Sequence, residues 1–256
     1  MFSFFKKNEI PKNQVPIAHT DEGSHGRHWY TMFGRADTAV LMQKINDAMQ
    51  AGEPKTINKN TFFVDGSSIR TVVQNGVGIT GFPYWKGPRY ENIETKLITE
   101  WAHVDHLEAI VTAGHSSGCR LDFFAIDYAF HKEQYRNQKN ISANIVGLIY
   151  VLEDFDAVAV NEERAAQNPQ AESSLKFSGD FCGYFPGDVP DEISFIGNIK
   201  AIQEHALGEV AGFIITITLT PDFSIDAFIA KTNLKIDLAL NKQVTGLLWM
   251  IGTLEK

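Results

Sequence analysis

From residue 61 onward the chain is divided into short β-prone runs by turn-forming dipeptides, and this punctuation limits the fold more than any other feature. Residues 61–64, 68–74 and 77–80 are rich in Val, Ile, Phe and Thr, and Asp65-Gly66 and Asn75-Gly76 separate them. Glycine and asparagine reach positive φ at little cost, so these dipeptides predict tight hairpin turns and a small meander. Longer apolar runs follow at 121–130 and 141–152, and again at 193–203, 213–220, 224–230 and 244–254. Pro221-Asp222 turns the chain between two of them. Residues 93–113 fit either a helix with Leu97, Trp101, Val104 and Leu107 on one face, or a strand over 107–112. The expected fold is mainly β, α+β at most, with one or two antiparallel β units.

One helix is expected ahead of the strands. Asp37 can cap its start, Leu41, Ile45, Ala48 and Met49 share a face, and Gly52 and Pro54 stop it. Residues 1–30 read as an irregular arm, because Pro11, Pro16, Gly23 and Gly26 break any periodicity. Residues 154–174 carry Glu162-Glu163-Arg164 and Asn168-Pro169 and have little to bury after Val160, so they read as a linker or long exposed loop. The division that results is an arm and helix over 1–58, a β unit over 59–155, a linker over 156–174 and a second β unit over 175–256. The second unit has the outline of an OB-type barrel, with a long first strand, a hairpin and a glycine-marked closing strand. Tandem barrels of this kind follow if the first unit is its relative. Leu121-Asp122-Phe123-Phe124 is echoed by Ile225-Asp226-Ala227-Phe228, and Gly147-Leu148-Ile149-Tyr150 by Gly246-Leu247-Leu248-Trp249. Duplication and chance likeness between apolar strands both account for such short matches.

Composition removes several function classes. A net charge of −8, with no Lys/Arg run longer than Lys6-Lys7, argues against nucleic acid gripped over a broad surface. No apolar stretch reaches the length of a membrane-spanning helix, and the start Met1-Phe2-Ser3-Phe4-Phe5-Lys6-Lys7 lacks a signal-peptide core. Cys119 and Cys182 are too few for a disulfide framework. A soluble, cytoplasmic, acidic protein is expected.

Candidate chemistry is sparse. No phosphate-cradling loop and no dinucleotide fingerprint are present, so no cofactor is assigned. His103, Asp105, His106, His115 and Cys119 offer imidazole, carboxylate and thiolate ligands that suit zinc. His103 and His106 share a face only on a helix, and polar surface histidines are the simpler expectation. Gly114-His115-Ser116-Ser117-Gly118 spells Gly-x-Ser-x-Gly but lacks the strand-to-helix setting of a hydrolase nucleophile, and reads as a turn. In the loop 82–90, Tyr84, Trp85, Lys86, Arg89 and Tyr90 are residue types common at binding hot spots. Trp85 could equally fold back over a barrel end. The sequence therefore favours a non-catalytic binding or assembly protein that engages another protein. The alternatives are a metal-assisted hydrolase using the His/Asp/Cys group, or an OB-like module for single-stranded nucleic acid or oligosaccharide.

Overall fold

The computed structural model describes residues 14–34, 37–66, 68–167 and 176–254. Along the arm lie strand β1 (Ile17–Thr20) and the short helix α1 (Tyr30–Phe33). Helix α2 (Thr38–Ala51) starts where expected, with the Asp37 carboxylate accepting the Ala39 N–H at 2.7 Å. A small antiparallel sheet follows, made of β2 (Glu53–Asn58), β3 (Thr61–Gly66), β4 (Ile69–Gln74) and β5 (Val77–Pro83). Asn75 and Gly76 take φ of 50° and 80°, so this hairpin turn forms as its dipeptide requires. Asp65-Gly66 does not turn. Both residues lie within β3, opposite Arg70 and Ile69. A Cβ on Gly66 would stand 2.7 Å from that of Ala48, so this glycine lets α2 lie close on the sheet.

The rest of the chain builds a larger sheet. Its first half contains β6 (Glu91–Trp101), β7 (Ala109–His115), β8 (Arg120–Ala125), α3 (Tyr128–Asn137) and β9 (Asn140–Asp154). After α4 (Ala157–Gln167) come β10 (Gly183–Pro186), β11 (Glu192–Leu207), β12 (Val210–Thr220), β13 (Phe223–Ala230) and β14 (Gln243–Thr253). The ambiguous residues 93–113 are thus two strands joined by a turn. The polar segment after residue 130 is mostly helix, and the expected linker holds α4. The Asp156 carboxylate caps α4 by accepting from Val158 and Ala159. Its residues 168–174 lie outside the described residues.

Among the described residues, ten strands form one sheet in the order β1-β6-β7-β8-β14-β9-β13-β12-β11-β10, and the extra pairings β6–β9 and β14–β11 close it twice. One ring is β6-β7-β8-β14-β9 and the other is β11-β12-β13-β9-β14. In each ring three strands meander, and a fourth from the same half returns to the first. The fifth comes from the other half and runs parallel to the third, as β8 beside β14 and β13 beside β9. This is OB-type connectivity, with β9 and β14 belonging to both barrels.

The register shows the two halves to be structural repeats. Thr112 lies opposite Asp122 and hydrogen-bonds it, just as Thr216 lies opposite Asp226 and donates to it at 2.6 Å. A bulge falls at Lys96 in the first β6–β7 pair and at Lys200 in β11–β12. Phe124 pairs with Ile251 as Phe228 pairs with Leu148. The Leu/Ile-Asp-x-Phe echo in the sequence therefore marks equivalent positions. The Gly-Leu echo does not, because Leu148 corresponds to Ile251 rather than to Leu247.

Alternation along the shared strands makes two cores. Ile149, Leu152, Leu248 and Met250 join Phe123 and Phe195 in one; Val146, Leu148, Trp249 and Ile251 join Phe124, Phe228, Trp85 and Trp101 in the other. The small sheet is tied to the first barrel by Arg70. Its guanidinium forks onto Asp65, donates to the Ile126 carbonyl at 2.7 Å and lies over the rings of Phe63 and Tyr84. Among the described residues, no helix is long and apolar enough to cross a membrane.

Candidate functional site

The arm, which the sequence marks only as irregular, carries buried polar side chains. His25, His28 and Trp29 are buried, and Met32 beyond them enters the second core. A Cβ on Gly23 would stand 2.3 Å from the Trp101 ring, so the arm lies flat on that indole. The two imidazoles meet Nδ1 to Nδ1 at 3.0 Å, and His25 Nε2 lies 3.0 Å from Glu108. His28 stacks on Trp249 at 3.8 Å and points Nε2 at Glu192, 3.8 Å away. Tyr150 donates to Glu192 at 2.7 Å and Trp249 donates to Asp191 at 2.7 Å. One junction of hydrogen bonds, ring stacking and facing charges thus joins the arm to both barrels and both shared strands.

Protonation in this junction is shaped by burial. Desolvation, followed by the charges of His25 and Arg27, holds His28 well below the ordinary imidazole range. A consistent assignment has neutral His28 donating Nδ1–H to His25, which donates Nε2–H to Glu108. Burial also pushes the Asp191 carboxyl up to about 6, against the opposing hydrogen bond from Trp249. Oxygens of Glu108 and Asp191 remain buried without a hydrogen-bond partner.

A second group lies at the outer end of the same arm, and it opens to solvent. Parallel pairing of β1 with β6 sets His19 opposite Glu100. After β6 the chain turns through Asp105 and His106, successive non-glycine residues at φ of 53° and 58°, which brings the second imidazole back toward Glu100. Lys132 fixes that turn by donating to the His106 carbonyl at 2.9 Å. His19 Nδ1 and His106 Nδ1 each lie 3.5 Å from Glu100 Oε2. The Glu100 side chain is 1% exposed, whereas His19 and His106 are 57% and 39% exposed.

The two oxygens of Glu100 differ sharply. Oε1 accepts from the Tyr128 hydroxyl and from Arg136 at 2.6 and 3.1 Å, with Lys132 3.5 Å away. Oε2 accepts no hydrogen bond, and neither does the buried Nδ1 of His106 facing it. Burial pushes this carboxyl up, but the bonds from Tyr128 and Arg136 and the charges of Lys132 and Arg136 outweigh that and hold it below its usual range. Among the described residues, His19, Glu100 and His106 are the one group of three or more such side chains whose ligand atoms all fall within 4.8 Å of one another.

Of the five metal-ligand candidates read from sequence, this group takes only His106. His103 is exposed and stacks on Trp101, and Asp105 accepts from Gln74. His115 sits at the far end of β7, between Ser117 at 2.6 Å and Glu91 at 3.2 Å. Cys119 lies beyond it, 3.6 Å from the Thr220 hydroxyl. His19 lies far from His106 in the chain, Glu100 stands only six residues before it, and neither carries a motif; the pairing of β1 with β6 brings His19 to them. In the loop 82–90, Trp85 is buried and donates to the Gly147 carbonyl at 3.0 Å. Tyr84 is half-buried against Arg70, and Tyr90 is half-buried. Lys86 and Arg89 are exposed, the latter forking onto Asp226 at 2.7 and 3.0 Å.

No protein-family model matches this sequence, and no curated protein does. A similar solved structure is the cytoplasmic molybdate-binding protein ModG with molybdate bound, at 12% identity and a TM-score of 0.34, covering 66% of this chain and 97% of that one.

Proposed function

We propose that the protein is a non-catalytic binding module for a small cationic ligand, which it takes up where the N-terminal arm crosses the first barrel. The observation that carries this reading is the pair of buried acceptor atoms, Glu100 Oε2 and His106 Nδ1, that face one another without a hydrogen-bond partner. Leaving such an atom unsatisfied costs about 1–3 kcal/mol, and a ligand that meets both recovers that free energy on binding. A carboxylate oxygen and the unprotonated nitrogen of an imidazole present lone pairs, so together they suit a cation or a compact donor. The exposed His19 marks the mouth.

The test is thermal denaturation with a panel of small cations, including ammonium, methylamine, guanidinium and divalent metal chlorides. Wild type should be stabilised by at least one of them, and His19→Ala and His106→Ala should lose that stabilisation. A panel with no effect on wild type, or one equally effective on both variants, refutes the reading.

A further inference from the structure

The geometry points to a specific class of cation: we infer that His19 Nδ1, His106 Nδ1 and Glu100 Oε2 bind a divalent first-row transition-metal ion, as a face of two histidines and one carboxylate. The inference rests on the binding reading above and narrows its ligand to a metal.

The spacing supports it. Metal–ligand bonds of about 2.0–2.2 Å at tetrahedral angles set ligand atoms roughly 3.4 Å apart. Both imidazole nitrogens stand 3.5 Å from Glu100 Oε2. A carboxylate paired with two imidazoles is a donor set that suits zinc, iron(II), cobalt(II) and nickel(II) better than calcium or magnesium, which take all-oxygen shells.

The surroundings have the form of a metal outer shell. Tyr128 and Arg136 occupy Oε1 and leave Oε2 as the single available lone-pair face, fixing the carboxylate's direction. Lys132 fixes the His106 backbone in its left-handed turn. The three ligands come from β1, β6 and the turn after it, so the centre is complete only with the arm in place.

The internal repeat shows that the barrel itself does not require this arrangement. Glu204 occupies the position of Glu100 in the second barrel, where it is exposed and pairs with Lys231 at 3.3 Å. Val210 stands where His106 does. An acid at this point of an OB-type strand can stay in water, and only the first barrel buries it between two histidines. Water fills the remaining coordination positions, since the mouth is open at His19.

Chelator-treated full-length protein titrated with cobalt(II) chloride, and separately with zinc chloride, provides the test by visible absorption and native mass spectrometry. One ion per chain is expected, with cobalt d–d bands that zinc abolishes by displacement. His19→Ala and His106→Ala should each weaken binding by at least about tenfold, while His103→Ala and His115→Ala should not. His19→Ala changes an exposed side chain and leaves the fold intact, so its result stands even if Glu100→Gln disturbs the Tyr128–Arg136 bonds. Metal uptake insensitive to His19 and His106, or no stoichiometric uptake, overturns the inference. If methylamine or guanidinium stabilises wild type but not His106→Ala while metals do nothing, the binding reading survives and the metal assignment alone falls.

Discussion

Replacing Asp191 by asparagine should change how stability depends on pH, by an amount that follows from the burial of one carboxyl group. Asp191 is fully buried, takes one hydrogen bond from Trp249 and has its other oxygen unpartnered. Desolvation moves its pKa from 3.8 to about 6. The proton is therefore held more tightly in the fold than in the unfolded chain. The stability it contributes is complete below about pH 4 and is lost as pH rises through about 6. A shift of about two units corresponds to about 3 kcal/mol. Asparagine keeps the shape and cannot ionise, so any fixed cost of seating its amide is the same at every pH. Urea denaturation of both proteins near pH 4 and near pH 8 should show the asparagine form gaining about 2–3 kcal/mol relative to wild type between the two conditions. Parallel curves would mean that Asp191 ionises as it would in water, and that the junction is wetter than its burial implies.

Three other outcomes follow from the packing. Arg70→Ala leaves the Asp65 carboxylate to Lys55 and removes a donor from the Ile126 carbonyl, and should cost about 1–3 kcal/mol in urea denaturation; a loss below about 0.5 kcal/mol would show that the small sheet is not tied to the barrel through this side chain. Gly246→Ala puts a Cβ 2.3 Å from the Val151 carbonyl oxygen, between the two shared strands, and should lower stability by about 1–3 kcal/mol. An unchanged melting temperature would contradict that close approach. Cleavage between residues 168 and 175 should leave the halves bound one to one, while either half expressed alone should lack cooperative unfolding and regain it on mixing. Halves that each melt cooperatively alone would refute the strand sharing.

Much of the strand pattern was legible in sequence because its signals are local. Asn75-Gly76 turns as its φ preference demands, and Asp37 caps α2. The runs at 193–254 become β11 to β14 with small shifts of boundary. Asp65-Gly66 misled because a glycine chosen for close packing against Ala48 has the same letters as a turn. The helix α3 was missed because Tyr128 and Tyr135 are buried by tertiary contacts, while His131 to Gln134 between them are polar. Two barrels were foreseen in outline, but not that each borrows a strand, since no local pattern records which distant partner a strand will take. The same limit hid the site. Glu100 reads as one more polar residue of an ambiguous segment until β1 is laid beside it, and His19 and His25 look like residues of a structureless arm.

The exchange of β9 and β14 also sets a schedule for the ribosome. Phe124 waits for Ile251, and the buried Asp127 carboxylate at the start of α3 waits for Thr253 and Leu254, which donate to it at 2.8 Å. The first barrel is therefore synthesised early and sealed last. Until β14 is made, β8 and β9 present unpaired edges, and such edges recruit other chains. A stall before β14 is made would release not one finished barrel and one missing one, but two open rings, each lacking that strand.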